Sequence, residues 1–224
     1  MRFLYKDFGL DFETDENCID VISLESAAFF SEFFLELLTA ERGEESHIIL
    51  SECDKEINFA RSAEIITDPY QLNLNNRKML SQLYKNTDEI VSQRYAVEKI
   101  EALCSLQKIF EEVSEKLDYP VAYDENLDFS AILKAFDFRF DDTSFENPLS
   151  RTLQYMKLSR DLLGTKIFFL VRMKDWFPVE KLRAFYENVL YSKIQLILVE
   201  RHSYERTEEE RNYVIDKDRW LIYY

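Results

Sequence analysis

Seven carboxylates fall close together near the middle of the chain: Asp118, Asp124, Glu125 and Asp128, then Asp141, Asp142 and Glu146. They belong to a 36-residue stretch, 111–146, with eleven acids and three bases, a net of −8. Calcium takes about six to eight hard oxygen ligands in loose geometry, so irregular turns rich in Asp and Glu suit it. The ordered D-x-[DN]-x-[DN]-G of an EF-hand is absent. A calcium or magnesium site and a plain solvated acidic turn both fit this composition.

A second pattern is basic. Lys78, Lys85 and Lys99 share a heptad register with Ser92, and Arg94 is close by. Residue 85 lies about 200° of helix beyond apolar Leu83, so a lysine stripe would oppose an apolar one. Such a row could follow a phosphate backbone. The residues by themselves fit an ordinary solvent-facing helix surface better.

Catalytic patterns are missing. The chain has three glycines, Gly9, Gly43 and Gly164, and neither G-x-x-x-x-G-K-[ST] nor G-x-G-x-x-G. Phosphate-cradling loops need glycine backbones that approach the ligand closely. G-x-S-x-G and H-E-x-x-H are also absent, and His47 and His202 have no nucleophile or acid arranged near them in sequence. A binding role is expected, with no enzymatic activity.

The elements that must position these residues are legible in part. A hydrophobic content of 46% and an aromatic content of 15% suffice for a packed core. No apolar run reaches the roughly 18 residues of a membrane span. Cys18, Cys53 and Cys104 lack a C-x-x-C spacing and are expected as reduced, buried thiols of a cytoplasmic protein. The net charge of −15 excludes little, because screening over about 8 Å lets a basic surface coexist with a distant acidic one.

Phe3, Tyr5 and Phe8 suggest a first strand, and Cys18–Ile22 a second. Phe30, Phe33, Phe34, Leu37 and Leu38 recur at helical spacing after Ser26, a plausible N-cap. His47–Leu50 and Glu64–Thr67 are strand-like. Residues 70–119 then hold no glycine or proline, and Leu83, Ile90, Val97 and Cys104 lie seven apart. Asn75 or Asn76 can cap a helix there. A single helix Asn76–Leu117 would span roughly 60 Å, more than the ~45 Å of a compact chain this size, so it must break or project. Short helices are expected around Ser130–Phe136 and from Ser144 to Leu163. The last third reads as strand Lys166–Val171, a helix opened by Pro178 and running to Tyr191, strand Ile194–Val199 and a closing β pair. The fold class is α/β: a head of residues 1–75 and 148–224 with an inserted α-helical leg, 76–147.

The stretch Gly164–Glu200, followed by Tyr213-Val214-Ile215-Asp216-Lys217-Asp218-Arg219-Trp220-Leu221-Ile222, resembles the C-terminal half of the Csn-two family. These are accessory proteins of type II-A CRISPR systems. The similarity extends to Ile66-Thr67-Asp68 with Asn73 and Asn75, and to Tyr123-Asp124-Glu125. It covers nearly the whole chain, carried by an ordered series of short matches.

The resemblance implies a P-loop-NTPase-like head that lacks the Walker residues, a helical leg, and assembly into a homotetramer ring. It implies that the ring encloses double-stranded DNA without reading sequence, loads at free ends, and holds structural calcium near the leg. Asp124 and Glu125 match the family's acidic motif; Asp118 and Asp128 match more loosely. The implied setting is spacer acquisition in antiviral defence, beside the CRISPR integrase proteins and the RNA-guided nuclease of the locus. A protein-interaction scaffold without nucleic acid, and a degenerate nucleotide hydrolase, stay open as alternatives.

Overall fold

The computed structural model describes residues 1–124, 128–143 and 147–223. The chain begins with β1 (Arg2–Tyr5), β2 (Leu10–Glu13), β3 (Ile19–Leu24), α1 (Ala27–Glu41), β4 (Ile48–Glu52), β5 (Lys55–Ile57), the single turn α2 (Phe59–Ser62) and β6 (Ala63–Ile66). Next come α3 (Arg77–Arg94), α4 (Ala96–Ser114) and α5 (Phe129–Ala135). It continues through α6 (Pro148–Leu158), β7 (Ile167–Val171), the short α7 (Met173–Trp176), α8 (Val179–Tyr191), β8 (Gln195–Glu200), β9 (Glu210–Ile215) and β10 (Leu221–Tyr223). Two units result: Met1–Asn73 with Asp142–Tyr224, and Leu74–Asp141.

The first unit is α/β, the class expected from the sequence. Its larger sheet runs β10-β9-β3-β8-β7-β6, with every neighbouring pair parallel except β10 with β9. β3 and β7 are buried at every position, because both faces of the sheet are covered. Side chains alternate across the sheet. Ile167, Phe169 and Val171 of β7 thus join one core with Phe3, Tyr5, Leu10 and Phe12 of the smaller antiparallel sheet β2-β1-β4-β5, and with Phe33 and Leu37 of α1. Phe12 stacks on Tyr213 at 4.0 Å between ring centroids, joining the two sheets. α8 packs on β8 and buries Leu182, Phe185, Tyr186 and Val189, at helical spacing.

Several local readings change. β1 ends at Tyr5, and Phe8 sits in a short turn closed by Gly9 at φ 63°, a left-handed position that suits glycine. Of the expected helix Ser144–Leu163, residues 144–146 lie outside the described residues, and the rest is observed as α6 followed by a π turn, Ser159–Leu163. In that turn Ser159 donates to the Glu64 carboxylate, as does Tyr155. The cysteines are free, but Cys53 and Cys104 are exposed and Cys18 only half-buried. Cys53 lies in the two-residue turn between β4 and β5, and Cys104 on a helix that buries nothing, so neither has a core to enter.

The second unit is helical. Asn76 caps α3 by accepting from the Met79 N–H at 3.1 Å. Asn75 clamps the unit's two chain ends: Nδ2 donates to the Phe140 carbonyl at 3.0 Å, and Oδ1 accepts from the Phe140 N–H at 2.9 Å. The long glycine-free segment breaks at Tyr95 (φ −133°, ψ 37°), which ends α3 and opens α4. Among the described residues this unit buries Leu74, Met79 and Leu133, and α4 buries none of its side chains.

Candidate functional site

In open parallel sheets, ligands gather beyond the carboxyl ends of the strands. Here β3 passes into α1 through Glu25 and Ser26 alone. Two residues without glycine cannot wrap a phosphate. Ser26 makes no side-chain cap bond, and the Glu25 N–H is used by the Ile215 carbonyl at 3.0 Å.

At the ends of β7 and β8 lies a buried charged group that the sequence did not reveal. Glu200 is fully buried and its Oε1 accepts from the Lys174 N–H at 3.0 Å. Lys174 Nζ reaches Glu210 Oε2 at 2.8 Å, with 5% and 0% of the two side chains exposed. Burial pushes the Glu200 carboxyl up to about 8. Burial also raises the Tyr186 phenol well above its ordinary value, and the Glu210 charge adds to this. Such groups are hard to read from sequence, because Lys174, Glu200 and Glu210 are brought together only by the fold.

In the helical unit, Lys78 and Lys85 are exposed on α3, seven residues and so about 10 Å of axis apart. Arg94 is exposed at the last position of α3. Lys99 is different. Its Nζ donates to Asp88 Oδ1 at 2.6 Å and Ser92 Oγ at 2.9 Å, and lies 5.6 Å from the centre of the Phe129 ring. The break at Tyr95 removes the continuous heptad on which a four-position stripe depended.

The acidic candidates divide. Asp118 and Asp124 are exposed in the segment after α4. Asp128 is the N-cap of α5 and accepts from the Ser130 N–H. The Ser130 hydroxyl first, and then the Ser130 and Ala131 N–H groups, hold its carboxyl below the usual range. Asp141 is exposed in the helical unit, whereas Asp142 belongs to the α/β unit and lies 3.9 Å from Arg151. Glu125 and Glu146 lie outside the described residues. Among the described residues no three His, Cys, Asp or Glu side chains are grouped so as to hold a metal ion.

A family model described as CRISPR-associated protein (Cas_Csn2) matches residues 41–219. The chain belongs to the Cas_Csn2 family. No curated protein matches it. Among solved structures it is similar to a putative ABC transporter (ATP-binding protein) from Pyrococcus furiosus, at 10% identity and a TM-score of 0.37. That match covers 91% of this chain and 88% of the other. A likeness this weak says nothing about function. Among the described residues no helix is long and apolar enough to cross a membrane.

The Cas_Csn2 match spans both units, so the helical unit is part of what the family shares. Beside Lys85 the helical unit contains a depression of about 930 Å³ with Arg77 and Lys134 on its walls. Lys134 lies 5.9 Å from the centre of the Tyr84 ring. The depression also contains Asp88, Glu89 and Asp128, so its field is mixed. Arg77 and Lys134 lie 57 residues apart in sequence and line one depression only because α5 packs on α3.

Proposed function

We propose that this protein binds the ends of duplex DNA without reading sequence, as a ring of four copies, during acquisition of new CRISPR spacers. Membership of a CRISPR-associated family over most of the chain carries the reading. Exposed Lys78 and Lys85 on one face of α3, with Arg77 beside them, supply cations at a spacing suited to phosphates. On α4, Val97, Ile100, Phe110 and Val113 are 65%, 61%, 40% and 49% exposed, an apolar surface that association of copies would cover.

Within this reading the protein is not an enzyme, and the two-residue β3–α1 connection supports that. Calcium at the acidic turn, with Asp124 and Glu125 as leading ligands, would be structural. Its partners would be the integrase proteins and the RNA-guided nuclease of the locus.

The test is binding to one duplex in linear and in closed circular form across a salt series. Linear DNA should bind with log affinity falling against log salt at about −0.9 per phosphate contact, and circular DNA much more weakly. Equal affinity for both forms would rule out encirclement. No binding to either, by a folded protein, would favour a scaffold docking partners through α4.

A further inference from the structure

α6 and α8 of the α/β unit flank a slot of about 370 Å³, at the lower end of the roughly 300–1,000 Å³ of small-ligand pockets. One wall is aromatic. Tyr70 lies parallel to Phe177 at 5.9 Å and 16°, and tilted against Trp176 at 5.5 Å. Phe177 is buried behind them, while Tyr70 and Trp176 are 51% and 45% exposed. Leu149 and Leu153, one helical turn apart on α6, add apolar surface. The slot thus offers flat, wettable ring faces on a rigid backing.

Among the described residues the slot's lining carries one charged side chain, Lys181. Lys181 faces the slot and has no partner among the described residues. Asn188, two turns further along the same face of α8, uses Nδ2 on the Ala184 carbonyl at 2.7 Å and leaves Oδ1 to accept. Flat rings, one acceptor and one free cation suit a planar heterocycle that carries an anionic group. A purely apolar peptide would leave the Lys181 charge unused.

We propose that this slot takes an unpaired nucleotide at the end of a DNA strand, its base against Tyr70 and Trp176 and its phosphate at Lys181. The proposal rests on the DNA-end reading above and adds a site for the strand terminus on the α/β unit. Base stacking on aromatic side chains supplies affinity without sequence choice.

The experiment uses the full chain with Trp220→Phe, which leaves Trp176 as the sole tryptophan. Its emission is titrated with deoxyadenosine monophosphate, a blunt duplex, and the same duplex bearing a three-nucleotide overhang. Anisotropy of the labelled duplexes reports binding independently. The overhang should quench Trp176 saturably, and the blunt duplex much less. Tyr70→Ala and Lys181→Glu should each weaken overhang binding by about tenfold, towards the blunt value. Lys181→Glu changes only an exposed side chain, so it tests the site even if Tyr70→Ala perturbs folding.

Duplex binding with no overhang-dependent quenching would overturn the slot and leave the duplex reading intact. Quenching by the overhang with no blunt-duplex binding would do the reverse. Equally tight binding of the mononucleotide would overturn the strand-end assignment. Quenching by a Glu- and Phe-rich peptide but by no nucleotide would replace it with a protein partner.

Discussion

Lys99 Nζ donates to Asp88 Oδ1 at 2.6 Å across the break at Tyr95. On an unbroken helix these residues would stand about 16 Å apart along the axis, beyond the reach of a lysine side chain. The pair therefore exists only because α4 leaves the line of α3. With Ser92 and the Phe129 ring as further neighbours, Lys99 ties α3, α4 and α5 together.

That geometry assigns Lys99 to the stability of the helical unit. The side chains of Lys99 and Asp88 are 20% and 35% exposed, so solvent screens the pair in part. A double-mutant cycle of Lys99→Met with Asp88→Asn should give a coupling of about 0.5–1 kcal/mol in urea unfolding. Zero coupling would mean the pair does not persist in solution.

Lys78 and Lys85 should behave in the opposite way. Both are exposed, so Lys78→Glu with Lys85→Glu should alter stability by no more than about 0.5 kcal/mol. If each meets a phosphate, duplex affinity should fall and the salt slope should shrink by about 1.8. Anisotropy titrations at several salt concentrations measure both. An unchanged slope would show that this face of α3 meets only solvent.

Glu200 sets a pH dependence with a definite sign. Its carboxyl is raised to about 8 in the fold and lies near 4.5 when unfolded. The folded state therefore holds the proton more tightly, and this contribution is complete below about 4.5 and lost as pH rises through 8. Between those values it weakens by up to about 1.4 kcal/mol per pH unit. Glu200→Gln, neutral at every pH, should match the parent near pH 4.5 and exceed its stability increasingly towards pH 8. Parallel stability–pH curves for the two proteins would show that Glu200 is ionised in the fold.

The parts of the fold that were legible are those whose sequence carries a redundant signal. β7, α8 and β8 combine continuous apolar runs with Pro178 at the helix start, and Asn76 caps α3 as its position suggested. β5 was not legible. It is three residues long, Lys-Glu-Ile, and its hairpin turns through Cys53 and Asp54 at φ 49° and 59°. Such turns are usually marked by Asn-Gly, and neither residue is present here. The break at Tyr95 has no proline or glycine to announce it. The aromatic slot joins Tyr70 to Trp176 across more than a hundred residues, a proximity that no local pattern encodes.

The acidic turn gives the last prediction, and the structure sharpens its test. Asp128 already serves as the N-cap of α5, so removing its side chain would damage the helix whether or not a cation binds. Asn caps nearly as well as Asp, so Asp128→Asn keeps the cap while removing a charge. A cation that binds only the folded turn would stabilise it by about 2.7 kcal/mol at a hundredfold excess over Kd. Chelation should then lower the melting temperature and loosen the proposed tetramer, and calcium should restore both. Asp124→Asn with Glu125→Gln should abolish the response, whereas Asp128→Asn should weaken it without loss of helix content. A response that survives the Asp124 and Glu125 change would place the ligands elsewhere. A parent protein indifferent to both calcium and chelator would make the turn a solvated one, its carboxylates spread far enough apart to remain charged without a counterion.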